Sequence, residues 1–94
     1  MTTPAILITD DEKGARFGMK KALERDGYSL FEASSGQEAL EFIKNRLPDL
    51  VFLDINMPEM NGLEVLEKIR GMKCSPLVIV ITAHGSERIA VEAM

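Results

Sequence analysis

The sequence predicts a doubly wound parallel α/β sheet, and three observations lead there. Apolar runs of strand length alternate with segments of helical period along the chain, as strand, helix, strand, helix, strand, helix, strand. The runs at 5–9, 50–53 and 77–81 are unbroken rather than alternating, which is the pattern of strands covered on both faces. Two of these runs lead into aspartates, Asp10-Asp11 and Asp54, and open sheets of this kind bind ligands at the carboxyl edge. Right-handed crossovers leave few topologies, and the order 2-1-3-4 puts the first and third strands side by side in the middle.

Each element has its own signal. Ala5-Ile6-Leu7-Ile8-Thr9 is the first strand, and Asp10-Asp11-Glu12 follow it. Ala15, Met19 and Leu23 recur at i, i+4 and i+8 on the buried side of the first helix, with Arg16, Lys20, Lys21 and Glu24 turned out. Gly14 and Gly18 are odd residues for a helix interior, each costing about 1 kcal/mol relative to alanine. Asp26-Gly27 ends that helix with glycine at the expected position. The second strand, Ser29 to Ala33, carries polar Ser29 and Glu32 and reads as an edge strand.

Ser35 with Glu38 three positions on forms a capping box for the second helix, whose inner face is Ala39, Leu40 and Ile43. Pro48 halts the chain before the third strand, Leu50 to Leu53, which runs into Asp54. In the loop from Asn56 to Gly62, Asn61-Gly62 supplies turn chemistry. Leu63, Leu66 and Ile69 repeat at three-residue intervals in a short third helix ending at Gly71. Leu77-Val78-Ile79-Val80-Ile81 is the fourth strand and the most apolar five residues of the protein. A loop at Thr82-Ala83-His84-Gly85 leads to Ser86 and Glu87, which open a fourth helix.

In order 2-1-3-4 that very apolar fourth strand lies at the edge, where natural chains avoid flat hydrophobic strands. The expectation is that residues 1–94 are the front part of a longer chain, an incomplete domain whose fifth strand and last helix are absent here.

Ninety-four residues allow one domain with a single modest core. With 46% hydrophobic and 28% charged residues the chain is a folded globular one. Its net charge of −4 and scattered lysines and arginines lack the footprint of a nucleic-acid binder. No apolar stretch reaches membrane-spanning length and the N-terminus lacks a secretory leader pattern, so no membrane role and a cytoplasmic location are expected. The single cysteine, Cys74, excludes an internal disulfide and reads as a spectator thiol.

The acids carry the chemistry. An isolated buried carboxylate must find a partner, a metal or a proton. If the first and third strands are neighbours, Asp10, Asp11 and Asp54 converge and repel one another. A divalent cation is the simplest resolution, and hard oxygen ligands suit Mg²⁺.

Taken together, Asp10-Asp11-Glu12 after the first strand, Asp54 with Met57-Pro58-Glu59-Met60-Asn61-Gly62 behind it, and Thr82-Ala83 after the fourth strand resemble a response-regulator receiver domain of two-component signalling. The resemblance spans the chain and implies the flavodoxin-like order 2-1-3-4. Ile81-Thr82-Ala83-His84-Gly85 further resembles the receivers that head transcription activators working with the sigma-54 polymerase. Such a resemblance implies a phosphoacceptor switch rather than an enzyme, with at most self-phosphorylation from phosphodonors and self-dephosphorylation. Asp54 is then the phosphoacceptor, taking its phosphoryl group from a sensor histidine kinase. Asp11 binds Mg²⁺ directly, Asp10 through water, and the backbone carbonyl of Asn56 completes the ligands. Thr82 is the switch hydroxyl, small Ala83 leaves room for its movement, and an output domain in the parent chain, one for transcription regulation, receives the signal. A homodimer is one further partner the family allows. Receivers also carry a lysine after the fifth strand and an aromatic switch residue on that strand, neither of which has a position within these 94 residues.

Plainer readings stand beside these. Asp10 or Asp11 could cap the following helix, and Glu12 could be a first-turn helix acid. Thr82 could be a strand-end hydroxyl bonded to backbone. His84, the single histidine, has no nucleophile to pair with and reads as a surface residue, while Met57, Met60 and Met72 read as loop packing. Two rival functions are a Mg²⁺-dependent phosphatase with an aspartyl nucleophile and a phosphate-independent interaction module. The phosphatase looks for a second acid two residues after Asp54, where Asn56 stands.

Overall fold

The computed structural model describes residues 3–73 and 75–81 and the strand at 89–92. In chain order the elements are β1 (Ala5–Thr9), α1 (Lys13–Leu23), β2 (Ser29–Ala33), α2 (Gly36–Arg46), β3 (Leu50–Asp54), α3 (Gly62–Arg70), β4 (Leu77–Ile81) and β5 (Ile89–Glu92). The sheet order is β2-β1-β3-β4-β5, with the first four strands mutually parallel. The expected order 2-1-3-4 therefore holds, and β2 is an edge strand as its polar residues suggest.

Strand alternation sorts the core into two faces. Leu7, Val51, Leu53, Val78 and Val80 join Ala39 and Ile43 of α2 and Val65, Leu66 and Ile69 of α3 in one fully buried cluster. Ile6 and Ile8 are also buried and turn to the opposite face. Met57 belongs to the main cluster, and Met60 and Met72 pack against it, as loop packing requires.

The ends of the helices depart from expectation in instructive ways. Ser35 Oγ accepts from the Glu38 N–H at 3.1 Å, but the Glu38 carboxylate accepts from the N–H and hydroxyl of Ser34 instead of closing the box on Ser35. A complete capping box forms at α3, where Asn61 Oδ1 accepts from the Glu64 N–H at 2.9 Å and Glu64 Oε1 from the Asn61 N–H at 3.0 Å. Leu63, the first residue of the three-residue apolar repeat in α3, is 55% exposed. A three-residue repeat drifts around a helix of 3.6 residues per turn, and Val65 takes the inward place. Gly27 ends the first helical segment in the left-handed conformation at φ 77°, where glycine avoids a Cβ penalty.

Residues 89–92 correct the expectation that the chain contributes no fifth strand and passes into a fourth helix. Ile89–Glu92 is a strand, antiparallel to β4, with Ile79 opposite Val91 and Ile81 opposite Ile89. The outer edge of β4 otherwise presents a row of unpaired backbone N–H and C=O groups on the most apolar strand, and this pairing supplies partners for it. Ser86, Glu87 and Cys74 lie outside the described residues.

Candidate functional site: an acidic cleft at the carboxyl edge

Pairing of β1 with β3 places Thr9 opposite Leu53, so the residues that follow, Asp10-Asp11 and Asp54, leave the sheet at the same edge. Side-chain alternation decides which face each takes. Leu7 and Leu53 point into the cluster under α2 and α3, so Asp54, one residue on from Leu53, points to the opposite face. One carboxylate oxygen from each of Asp10, Asp11 and Asp54 lies within 4.8 Å of the other two. Oxygens on opposite sides of one magnesium ion sit about 4.2 Å apart, given bonds of about 2.1 Å, so small side-chain rotations bring the trio into ligand range. The donor set, three carboxylates at different depths, fits a hard divalent cation.

The three acids differ in setting. Asp54 is 4% exposed, Asp10 is half-buried and Asp11 is exposed. Burial is the largest influence on Asp54 and pushes its pKa up, the N–H of Asn56 donating to Oδ1 at 3.1 Å pulls it down, and the charges of Asp10 and Asp11 raise it again. The carboxyl group is thus held where its charge is costly until something positive arrives. Asp10 Oδ1 accepts from the Glu12 N–H at 2.9 Å, a local turn bond rather than a cap of α1, and its carboxylate still reaches the trio. Glu12 is the N-cap of α1 but makes no side-chain capping bond.

The cleft around these acids, about 560 Å³, is lined by Asp10, Asp11, Glu12, Asp54, Asn56, Ala15, Met19 and Ile81. Asn56, expected to offer its carbonyl, is among these lining residues. Thr82, Ala83 and His84 lie outside the described residues, although Ile81, just before Thr82, is in the cleft wall.

Two residues that support the site were read differently from sequence. Gly62 was taken as turn chemistry, yet a Cβ there would collide with the Asp54 carbonyl oxygen and lie 2.8 Å from Ile55 Cα. Its own N–H donates to the Ile55 carbonyl at 3.0 Å. Glycine is required because α3 starts against the backbone of Asp54, which locks the end of β3 in place. Arg16 was taken as turned out, but its side chain is 13% exposed and its guanidinium bonds both Glu32 of β2 and the Asp10 carbonyl. A helical wheel cannot reveal this, because the partners come from two other elements; a charged residue at Glu32 on a strand was the available hint.

The order 2-1-3-4 with an acid trio at its carboxyl edge agrees with the receiver-domain resemblance of the sequence. Residues 6–94 match the response regulator receiver domain, and the chain belongs to that family. It is similar to sporulation initiation phosphotransferase F of Bacillus subtilis (strain 168), at 36% identity over 90% of this chain and 68% of that protein. It is also similar to the response regulator MprA of Mycobacterium sp. (strain KMS), at 40% identity over 90% of this chain but 38% of MprA, so it spans well under half of that relative. Among solved structures, the response regulator TrrA of Thermotoga maritima in complex with Mg²⁺-BeF superposes with a TM-score of 0.83 at 40% identity, covering 92% of this chain and 75% of that one.

Proposed function

We propose that this chain is the phosphoacceptor switch of a two-component system, in the cytoplasm, receiving a phosphoryl group on Asp54 from a phosphohistidine of a sensor histidine kinase. The observation that carries the reading is the convergence of the buried Asp54 carboxylate with Asp10 and Asp11 within 4.8 Å. An oxygen of Asp54 attacks phosphorus, the P–N bond breaks, and the imidazole departs with the bonding pair. The rigid end of β3, pinned by Gly62 beneath and by the Asn56 N–H on Oδ1, holds the nucleophile in one orientation. Asp11, Asp54 and the Asn56 carbonyl would hold Mg²⁺ directly, and Asp10 would hold it through water. Bound there, the cation neutralises charge on the transferring group.

Thr82 is the hydroxyl that donates to a phosphoryl oxygen and draws the segment after β4 inward, so that a local charge biases a two-state element. The message passes to an output domain that regulates transcription. Support for this reading comes from the family and from TrrA, a 40% identical protein described with Mg²⁺-BeF. Incubation with Mg²⁺ and acetyl phosphate, or with beryllofluoride, tests it by intact-mass and amide-shift measurements. The expected result is a modification or tight complex that disappears in Asp54→Asn. No binding of either reagent, or a modification that persists in Asp54→Asn, overturns the reading.

A further inference from the structure

Asp10 is held at three points. Its N–H donates to the Ala33 carbonyl at 3.1 Å, its Oδ1 accepts from Glu12, and its carbonyl accepts from Arg16 Nη1 at 2.7 Å. The third of these belongs to the peptide group that joins Asp10 to Asp11, so the orientation of that plane governs how the two carboxylates are splayed. Arg16 is itself anchored, because its Nε donates to Glu32 Oε1 at 2.8 Å. Lys20 flanks the other oxygen of Glu32 at 3.2 Å. Hydrogen bonds from Arg16 and then Lys20 keep the Glu32 carboxyl below its usual range, so the anchor is ionised at neutral pH.

We propose that Arg16 is a positioning residue for the acidic cleft: its guanidinium spans from Glu32 on β2 to the Asp10 carbonyl and fixes the peptide that carries Asp10 and Asp11 against Asp54. The inference rests on reading the cleft as a divalent-cation site. A planar fork suits the task, since two N–H groups in fixed geometry bridge acceptors on different elements, which a single ammonium group does not. Electrostatics alone predicts the opposite effect. Arg16 adds positive charge near the cation, so a purely electrostatic role means that removing it tightens Mg²⁺ binding. Positioning means that removing it loosens binding, on the order of tenfold, the usual range for groups that orient metal ligands from behind.

The test is a Mg²⁺ titration of the chain followed by calorimetry and by the amide shifts of residues 10–12 and 54–56. Wild type, Arg16→Gln, Arg16→Lys, Glu32→Gln and the Arg16→Gln/Glu32→Gln double variant are compared. Thermal unfolding in EDTA establishes that each variant is folded. The expected result is Mg²⁺ binding weakened about tenfold in Arg16→Gln and also weakened in charge-preserving Arg16→Lys. Glu32→Gln weakens binding less, and adds nothing once Arg16 is gone, because it acts through the same contact. Autophosphorylation of Arg16→Gln should recover at high Mg²⁺, which a general loss of structure would not allow. Should Arg16→Gln fail to fold, Arg16→Lys and Glu32→Gln decide the matter. Variants that bind Mg²⁺ as well as wild type or better overturn the positioning role while leaving the cation site intact. Absence of Mg²⁺ binding by wild type overturns the cation reading and this inference with it.

Discussion

Asp54 combines deep burial with two like charges close by, and the cost of that arrangement depends on pH in a definite direction. Its folded pKa lies above the ordinary value of 3.8, with burial the leading cause. The folded chain therefore binds more protons than the unfolded one between those two values, and stability declines as pH rises through that window, then levels off. Asp54→Asn removes the penalty. In EDTA it should unfold at higher temperature than wild type at neutral pH, with the gain shrinking to nothing as pH falls below 3.8. A gain that stays constant across the titration contradicts this account. A second residue-scale cost sits at Leu47, the C-cap of α2, in the left-handed region at φ 47° and 54% exposed. Leu47→Gly gives up little burial and relieves the Cβ clash, so urea unfolding should register a gain of about 1 kcal/mol.

At the level of elements, α1 and α3 use glycine for opposite reasons. A Cβ on Gly14 or Gly18 meets nothing within 4 Å, so neither glycine serves contacts among the described residues. Replacing each by alanine should stabilise the chain by about 0.5–1 kcal/mol in urea titrations, through helix propensity and a less disordered unfolded state. Gly62→Ala should do the reverse, costing about 2 kcal/mol, because the added atom meets backbone that cannot turn aside. The same variant should shift the Asp54 amide resonance, as α3 is forced away from the end of β3. Sequence patterning identified β1, β3 and β4 well because unbroken apolar runs of strand length bounded by turn residues favour a buried strand. It was weaker on helix ends, where Glu38 and Glu64 sit in similar motifs and the path of the preceding chain selects the one that closes a full box.

Across the whole molecule, the sheet is covered unevenly. Leu50, Phe52, Ile79 and Ile81 stay half-buried on the face of Asp54, while Val51, Leu53, Val78 and Val80 opposite them are sealed by α2 and α3. The open edge of β4 is closed by β5 within the same chain. Consecutive strand residues aim their N–H groups in opposite directions, so an Ala90→Pro/Val91→Pro double variant removes at least one bond from that ladder. Freed from its partner, the β4 edge should pair between chains, and light scattering should record a mass that rises with concentration more steeply than for wild type. Equal curves for the two proteins would argue that β5 does not protect this edge.

The strand-and-helix alternation, the parallel order 2-1-3-4 and the gathering of Asp10, Asp11 and Asp54 were all legible from residue order. Apolar period and crossover handedness are local or near-local rules, and together they leave few arrangements, of which the order 2-1-3-4 gathers those acids. Other features needed the folded chain. The Arg16 bridge to Glu32 and Asp10, the demand for glycine at 62 and the antiparallel strand at 89–92 each join one element to another. Their geometry exists only after helices have settled on the sheet, because a spacing rule describes one element while a contact between elements depends on where both come to rest.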